Sequence, residues 1–194
     1  MQSNAVIPCG LISVLSQLEE LNVDVNPDDK QWDACVEGIV TEIYSLKNLI
    51  TLKLYFPRME LLSHILWKIP SLLYFKFTVG CHVNRIISRV TCNVEFELEQ
   101  WERCLKYING EAFLTDIKMV LQHAMGFYLD RHAAVKKLSN FGIRNMEKLK
   151  CLVMGECNEV QVIIDEADGY EEDDDSNENV PGSHGTEKNC SWIT

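Results

Sequence analysis

The side chains able to do chemistry in this 194-residue chain are scattered, not gathered. His64, His82, His123, His132 and His184 share no metal-ligand or nucleophile spacing with a cysteine or an acid. His123 and His132 flank the apolar stretch Phe127–Leu129 and could meet across it. With no third ligand and no nucleophile they read as surface histidines. Cys157 sits at an apolar-patterned position, where a thiol serves as a small hydrophobe and not as a nucleophile. Asp24, Asp28 and Asp29 bunch together but lack the glycine-containing loop of a calcium site. Trp101 and Tyr107 read as packing residues, not as a base-stacking platform. The chain has no phosphate-binding Gly-rich loop, no G-x-S-x-G elbow and no H-E-x-x-H helix. These residues imply no catalytic group, no metal site and no cofactor.

What recurs instead is polar and aromatic side chains set between leucines. Lys53, Tyr55, Tyr74, Lys76, Tyr128 and Asp130 alternate with apolar neighbours, so they belong to the strand face opposite the leucines. Tyrosine brings a large rigid contact area with one polar tip, which suits a protein-binding surface. These six are the candidate site, on the expected concave side of a curved sheet.

The stretch Met146 to Val160 shows what would position them. Leu149, Leu152, Met154 and Cys157 give Leu-x-x-Leu-x-apolar-x-x-Cys, the leucine-rich-repeat signature. Leu152 and Met154, two apart, point to one face of a strand. Cys157 falls where the chain leaves that strand and can sit under the neighbouring coil's turn. One such coil cannot bury its apolar face alone, so neighbours of the same build are required. Leu15, Leu18, Leu21 and Val23 repeat the spacing, as do Leu46, Leu49, Leu52 and Leu54. Ile69, Leu72, Phe75 and Phe77 form another copy, and Leu121, Ala124, Phe127 and Leu129 a weaker one. The strand anchors Leu21, Leu52, Phe75, Phe127 and Leu152 are 31, 23, 52 and 25 residues apart. Coils of this kind take about 20–29 residues. The longest gap must therefore hold one more, with Leu105–Ile108 as its candidate strand.

Between the strands the period changes. Trp32, Cys35, Val36, Ile39, Ile43 and Leu46 recur at three- and four-residue steps, an amphipathic outer helix behind the turn at Asn26–Asp29. Met59, Leu62, Ile65 and Leu66 predict a short helix stopped before Pro70. Val135, Leu138 and Phe141 predict another, ended by Gly142. Residues 81–110 loosen into an irregular hairpin or degenerate coil that closes on the Asn109–Gly110 turn. After Ile164 the apolar residues give way to acids, Gly, Ser, Asn and Pro.

The fold expected is α/β: a leucine-rich-repeat solenoid, with a curved parallel sheet and outer helices. It divides into a repeat domain at 5–164, about six irregular coils, and an acidic disordered loop or tail at 165–194. The last apolar coil is uncapped, so the chain reads as a piece of a longer array. Nine acids from Asp165 to Glu178, with no Lys or Arg among them, carry −9 of the net charge of −11. The remaining body, near −2 by difference, has no basic stripe to hold phosphates, which argues against nucleic acid. The eight cysteines include no C-x-x-C pair, and Met1 to Gly10 has neither a basic start nor a long apolar run. Reduced cysteines in a cytoplasmic protein follow, and Asn189–Ser191 reads as a chance sequon. No apolar run is long enough to span a membrane.

Two stretches carry a family resemblance. Leu18 to Trp32 with Ser45 to Leu49 resembles the repeat region of plant intracellular disease-resistance receptors of the coiled-coil NLR type. Leu149 to Gln161 is similar to another repeat of that family. The likeness runs from about Ala5 to Tyr170. It implies a repeat segment that recognises pathogen effectors or guarded host proteins and restrains the receptor's own nucleotide-binding domain. The family's coiled coil and phosphate-binding motifs match nothing in this chain, so the resemblance implies a sensor segment unable to bind ATP. The alternative is the substrate-recruiting repeat module of a ubiquitin ligase, which would call for an F-box-like helix before the first repeat. An extracellular receptor ectodomain would call for a leader and capping disulfides.

Overall fold

Leu21, Leu52 and Phe75, three of the five anchors, stand side by side on adjacent parallel strands. The computed structural model describes residues 7–8, 10–25, 29–80, 98, 100–109, 114–132 and 135–161. Within them six strands form one sheet: β1 Glu20–Asn22, β2 Thr51–Phe56, β3 Tyr74–Gly80, β4 Arg103–Ile108, β5 Gly126–Asp130 and β6 Cys151–Met154. Their spatial order is their chain order, and every neighbouring pair is parallel. Parallel neighbours cannot be joined by a tight hairpin, so the chain leaves the sheet and returns after each strand. β4 fills the long gap between Phe75 and Phe127, where the repeat length demanded a coil.

The return paths carry short helices. They are α1 Lys30–Ile43, α2 Glu60–Ser63, a 3-10 helix Leu66–Ser71, α3 Leu114–Leu121, a second 3-10 helix Leu138–Phe141, and α4 Ile143–Lys148. α1 forms where the three-four spacing placed it. The Asp29 side chain caps its first turn by accepting from the Gln31 N–H at 2.9 Å. Trp32, Val36, Ile39, Val40 and Ile43 line its buried stripe. No helix among the described residues is long and apolar enough to cross a membrane.

One core lies between these helices and the sheet face that holds Leu52, Leu54, Phe56, Phe75, Phe77, Leu105, Phe127 and Leu129. Aromatic rings knit it together. Phe56 meets Phe77 edge-on at 5.4 Å, and Phe127 meets Phe141 at 5.1 Å. Such pairs add about 0.5–1.5 kcal/mol each beyond their buried area. Two buried polar side chains satisfy backbone carbonyls at the turns. Lys68 Nζ donates to the Leu46 carbonyl at 3.0 Å. Asn145 Nδ2 donates to Phe141 at 2.8 Å and to Lys118 at 3.1 Å, tying α3 to the second 3-10 helix.

Several expectations need correction. Pro70 does not stop a helix from outside but lies within the 3-10 helix Leu66–Ser71. That turn is tighter than an α-helix and short enough to lose one N–H donor. Gly142, at φ 92°, ends the second 3-10 helix as expected but also opens α4, which the repeat pattern had hidden. β1 begins one residue before Leu21 and is only three residues long. The anchors also align differently: Leu54, Phe77, Leu105, Phe127 and Leu152 form one row, so Phe127 matches Phe77 and not Phe75. With phenylalanine at both positions, spacing alone cannot choose between the two. Of the hairpin or degenerate coil expected over 81–110, residues 81–97, 99 and 110 lie outside the described residues, as do the turn residues 26–28 and the acidic stretch 165–194.

Candidate functional site

Strand alternation sends Leu52 and Leu54 to the core and leaves Thr51, Lys53 and Tyr55 on the opposite face. The ladder extends that face across the sheet. Glu20 pairs with Thr51, which pairs with Tyr74, and Asn22 pairs with Lys53, which pairs with Lys76. Tyr55 pairs with Thr78, which pairs with Lys106, which pairs with Tyr128. All six candidate residues therefore share the face the alternation predicted, but they fall into different rows. Tyr74 stands four residues before Thr78, the β3 member of the row of Tyr55 and Tyr128, so the three tyrosines do not form one continuous column.

Among the described residues the face is open over β1–β3 only. There Glu20, Asn22, Thr51, Lys53, Tyr74 and Lys76 line a groove of about 320 Å³. Lys53 and Tyr74 are exposed, Tyr74 by 45%, and Lys76 is half-buried. Beside it a niche of about 30 Å³ is lined by Lys53, Lys76 and Lys106 with Leu98 and Cys104.

Over β4–β6 the same face is covered. Leu98 and Trp101 pack on Cys104, Ile108, Tyr128 and Val153, making a second, smaller apolar cluster. The Cys104 thiol donates to the carbonyls of Leu98 at 3.0 Å and Trp101 at 3.2 Å, which fastens the cover. Gly126 makes room for it, since a Cβ there would stand 3.0 Å from both Cys104 Sγ and a Leu98 methyl.

Three of the six candidates are consequently not on an open surface. Tyr128, 9% exposed, lies under the cover. Asp130, 3% exposed, is held by its neighbour: its Oδ2 is 2.9 Å from both Nε and Nη2 of Arg131. Tyr55, 7% exposed, turns its hydroxyl into the sheet and donates to the Gly80 carbonyl at 3.1 Å. Alternation fixes which face a side chain takes. It says nothing of what a distant connection lays on that face. Lys106, on a strand whose sequence pattern is weak, joins the basic group. The signal was there: Leu105-Lys106-Tyr107 repeats the alternation of Leu52-Lys53-Leu54.

Two of the scattered reactive groups, His132 and Cys157, bond backbone carbonyls. His132 is buried against Tyr107, ring centroids 4.1 Å apart, with Nε2 3.3 Å from the Tyr107 carbonyl. That bond requires the proton on Nε2. Burial lowers its pKa, against the opposing pull of that carbonyl and of Asp130. It is a core histidine, not the surface one the sequence suggested. His123 has its pKa lowered by burial and then by the charges of Arg103 and Lys148. Cys157 lies beside the end of β5, its Sγ 3.6 Å from the Leu129 carbonyl. Burial pushes its thiol up, which leaves it protonated at neutral pH and a poor nucleophile. Among the described residues no group of three or more His, Cys, Asp or Glu is placed to hold a metal ion.

No family model, no curated protein and no solved structure matches the chain.

Proposed function

We propose that this chain is a leucine-rich-repeat solenoid segment of a plant intracellular immune receptor of the coiled-coil NLR type. It acts in the cytoplasm as a non-catalytic protein-binding module, recognising a pathogen effector or a guarded host protein and restraining the receptor's nucleotide-binding domain. The reading is carried by one observation: six parallel strands follow chain order in one sheet, with the spaced leucines and phenylalanines buried beneath it. That is the arrangement a stacked-coil array requires. The family resemblance supplies the biological context. Contact falls to the β1–β3 part of the face, where Lys53 and Tyr74 are exposed, flanked by Glu20 and Asn22.

The test is binding to the nucleotide-binding domain of a coiled-coil-type receptor supplied as a separate chain, measured by calorimetry. Lys53→Glu combined with Tyr74→Ala should weaken it by about tenfold or more, the loss of one interface hot spot, with the circular dichroism spectrum unchanged. Absence of binding, or binding indifferent to both substitutions, sinks the proposal.

A further inference from the structure

The β1–β3 groove holds two rows of side chains. Glu20, Thr51 and Tyr74 form the first row across the three strands, and Asn22, Lys53 and Lys76 form the second. Opposite charges therefore line one groove, yet they are not spent on each other. The Glu20 carboxylate accepts from the Asn22 side-chain amide at 2.5 Å. Among the described residues no ion pair joins Glu20 or Lys53 to another side chain. Lys76 is half-buried and engages a further group, which leaves Lys53 as the exposed amine of the second row. In the first row the Tyr74 ring is open to solvent by 45%.

We propose that this groove takes an extended segment of the partner protein that carries an arginine and, two residues away, a glutamate or aspartate. The arginine seats over Thr51, between the Glu20 carboxylate and the Tyr74 ring, and the acid meets Lys53. Thr51 separates Glu20 from Tyr74 by two strand spacings, about 10 Å between Cα atoms, and its short side chain leaves the middle of the row low. A guanidinium fills such a gap because it pairs with a carboxylate while lying flat on an aromatic face. The two rows are two residues apart along β2, about 6.6 Å. Side chains i and i+2 of an extended partner repeat that distance on one face. Charge excludes the simpler occupants. A lone arginine would face Lys53 and Lys76, and a lone acid would face Glu20, whereas the spaced pair answers both signs. This docking rests on the functional reading only in taking the groove as the contact surface. Its test uses no receptor domain, so a groove that selects the pair while that domain fails to bind would sink the receptor reading alone.

The probe is the peptide acetyl-Gly-Ser-Arg-Ser-Glu-Ser-Gly-amide, titrated into the nitrogen-15-labelled full chain and followed by NMR. It should bind with a Kd on the order of millimolar, moving the amide signals of Thr51, Lys53 and Tyr74. An isomer with Arg and Glu three apart sends them to opposite faces of an extended chain. It should bind about threefold more weakly or worse, the size of one exposed ion pair. A peptide with Glu at both charged positions should bind no better than that isomer. Glu20→Gln and Tyr74→Ala should each weaken the first peptide by about threefold or more. Both side chains are exposed, so the circular dichroism spectrum should not change. No shift at these amides with about 10 mM peptide, equal affinity for the isomer, tighter binding of the double-Glu peptide, or indifference to Glu20→Gln would each overturn the proposal.

Discussion

The Tyr55 hydroxyl donates to the Gly80 carbonyl across β2 and β3, at 3.1 Å. This bond turns a residue with the alternation of a contact tyrosine into part of the sheet's own fastening. Gly80 is fixed twice over. Its φ of 110° disfavours any side chain, and a Cβ would lie 1.9 Å from the Ile108 carbonyl oxygen on the next strand. Tyr55→Phe should cost about 1 kcal/mol, one net hydrogen bond, with an unchanged urea slope. Gly80→Ala should cost more than about 3 kcal/mol, because backbone strain and a backbone clash add. For a chain of this length each kcal/mol lowers the melting point by about 2–4 °C, so thermal melts separate the two. Equal losses would mean that the Gly80 conformation is not required.

Glu42 joins the end of α1 to the turn before the first strand. Its carboxylate accepts from the backbone N–H groups of Gly10, Ile12 and Ser13, the latter two at 2.8 and 3.1 Å. The Gly10 bond is the largest influence on its pKa, and the net effect is a lowering below the ordinary 4.5. A carboxyl lowered in the folded state contributes above its unfolded value and loses that contribution as pH falls through the folded one. The Ile12 and Ser13 amide proton shifts should therefore titrate together below pH 4.5. In Glu42→Ala they should not. A midpoint at or above the ordinary value would show that the three bonds do not form in solution.

His132 has the opposite chemistry with the same sign. Burial lowers its pKa below 6.5, so between the folded value and 6.5 the unfolded chain binds more protons. Stability from this group is complete above 6.5 and declines as pH falls toward the folded value. Urea midpoints at about pH 7.5 and about pH 5.5 should fall further for the natural chain than for His132→Gln. A ring titration of His132 by NMR with a midpoint at or above 6.5 would remove the basis for this.

Local spacing and long-range cover were not equally legible. A strand at Leu105–Ile108 was legible from spacing, because a coil length near 20–29 residues calls for one more coil in that gap, and β4 runs over Arg103–Ile108. α1 was legible from Asp29 and the stripe from Trp32 to Ile43, since cap and period agree. The face of Lys53, Tyr55, Tyr74, Lys76, Tyr128 and Asp130 was legible from alternation alone. Their exposure was not, because it depends on contacts made from other segments. Leu98 and Trp101 reach Tyr128 across about thirty residues of chain, and Gly80 is reached by Tyr55 across 25. No period of two or 3.6 residues encodes either. The burial of His132 is illegible in the sequence for the same reason, its partner Tyr107 being 25 residues away.

That cover rests on Gly126, which decides how closely Leu98 and Cys104 pack on β5. Its missing side chain lets the Leu98 methyl and Cys104 Sγ pack against the β5 backbone. Gly126→Ala places a methyl 3.0 Å from both, tighter than van der Waals contact, and 3.6 Å from the Trp101 Cβ. β5 cannot retreat, since β4 and β6 hold it on either side. The cover must move instead, taking with it the acceptor carbonyls of Leu98 and Trp101 that the Cys104 thiol uses. Cys104 is 3% exposed and should alkylate slowly in the natural chain. In Gly126→Ala it should alkylate about tenfold faster or more, as expected when local opening costs 1.4 kcal/mol less, while Cys35 on α1 keeps its rate. Digestion and peptide mass after timed iodoacetamide treatment read the two cysteines separately. An unchanged Cys104 rate would mean that Leu98 and Trp101 are held by something other than the space above Gly126.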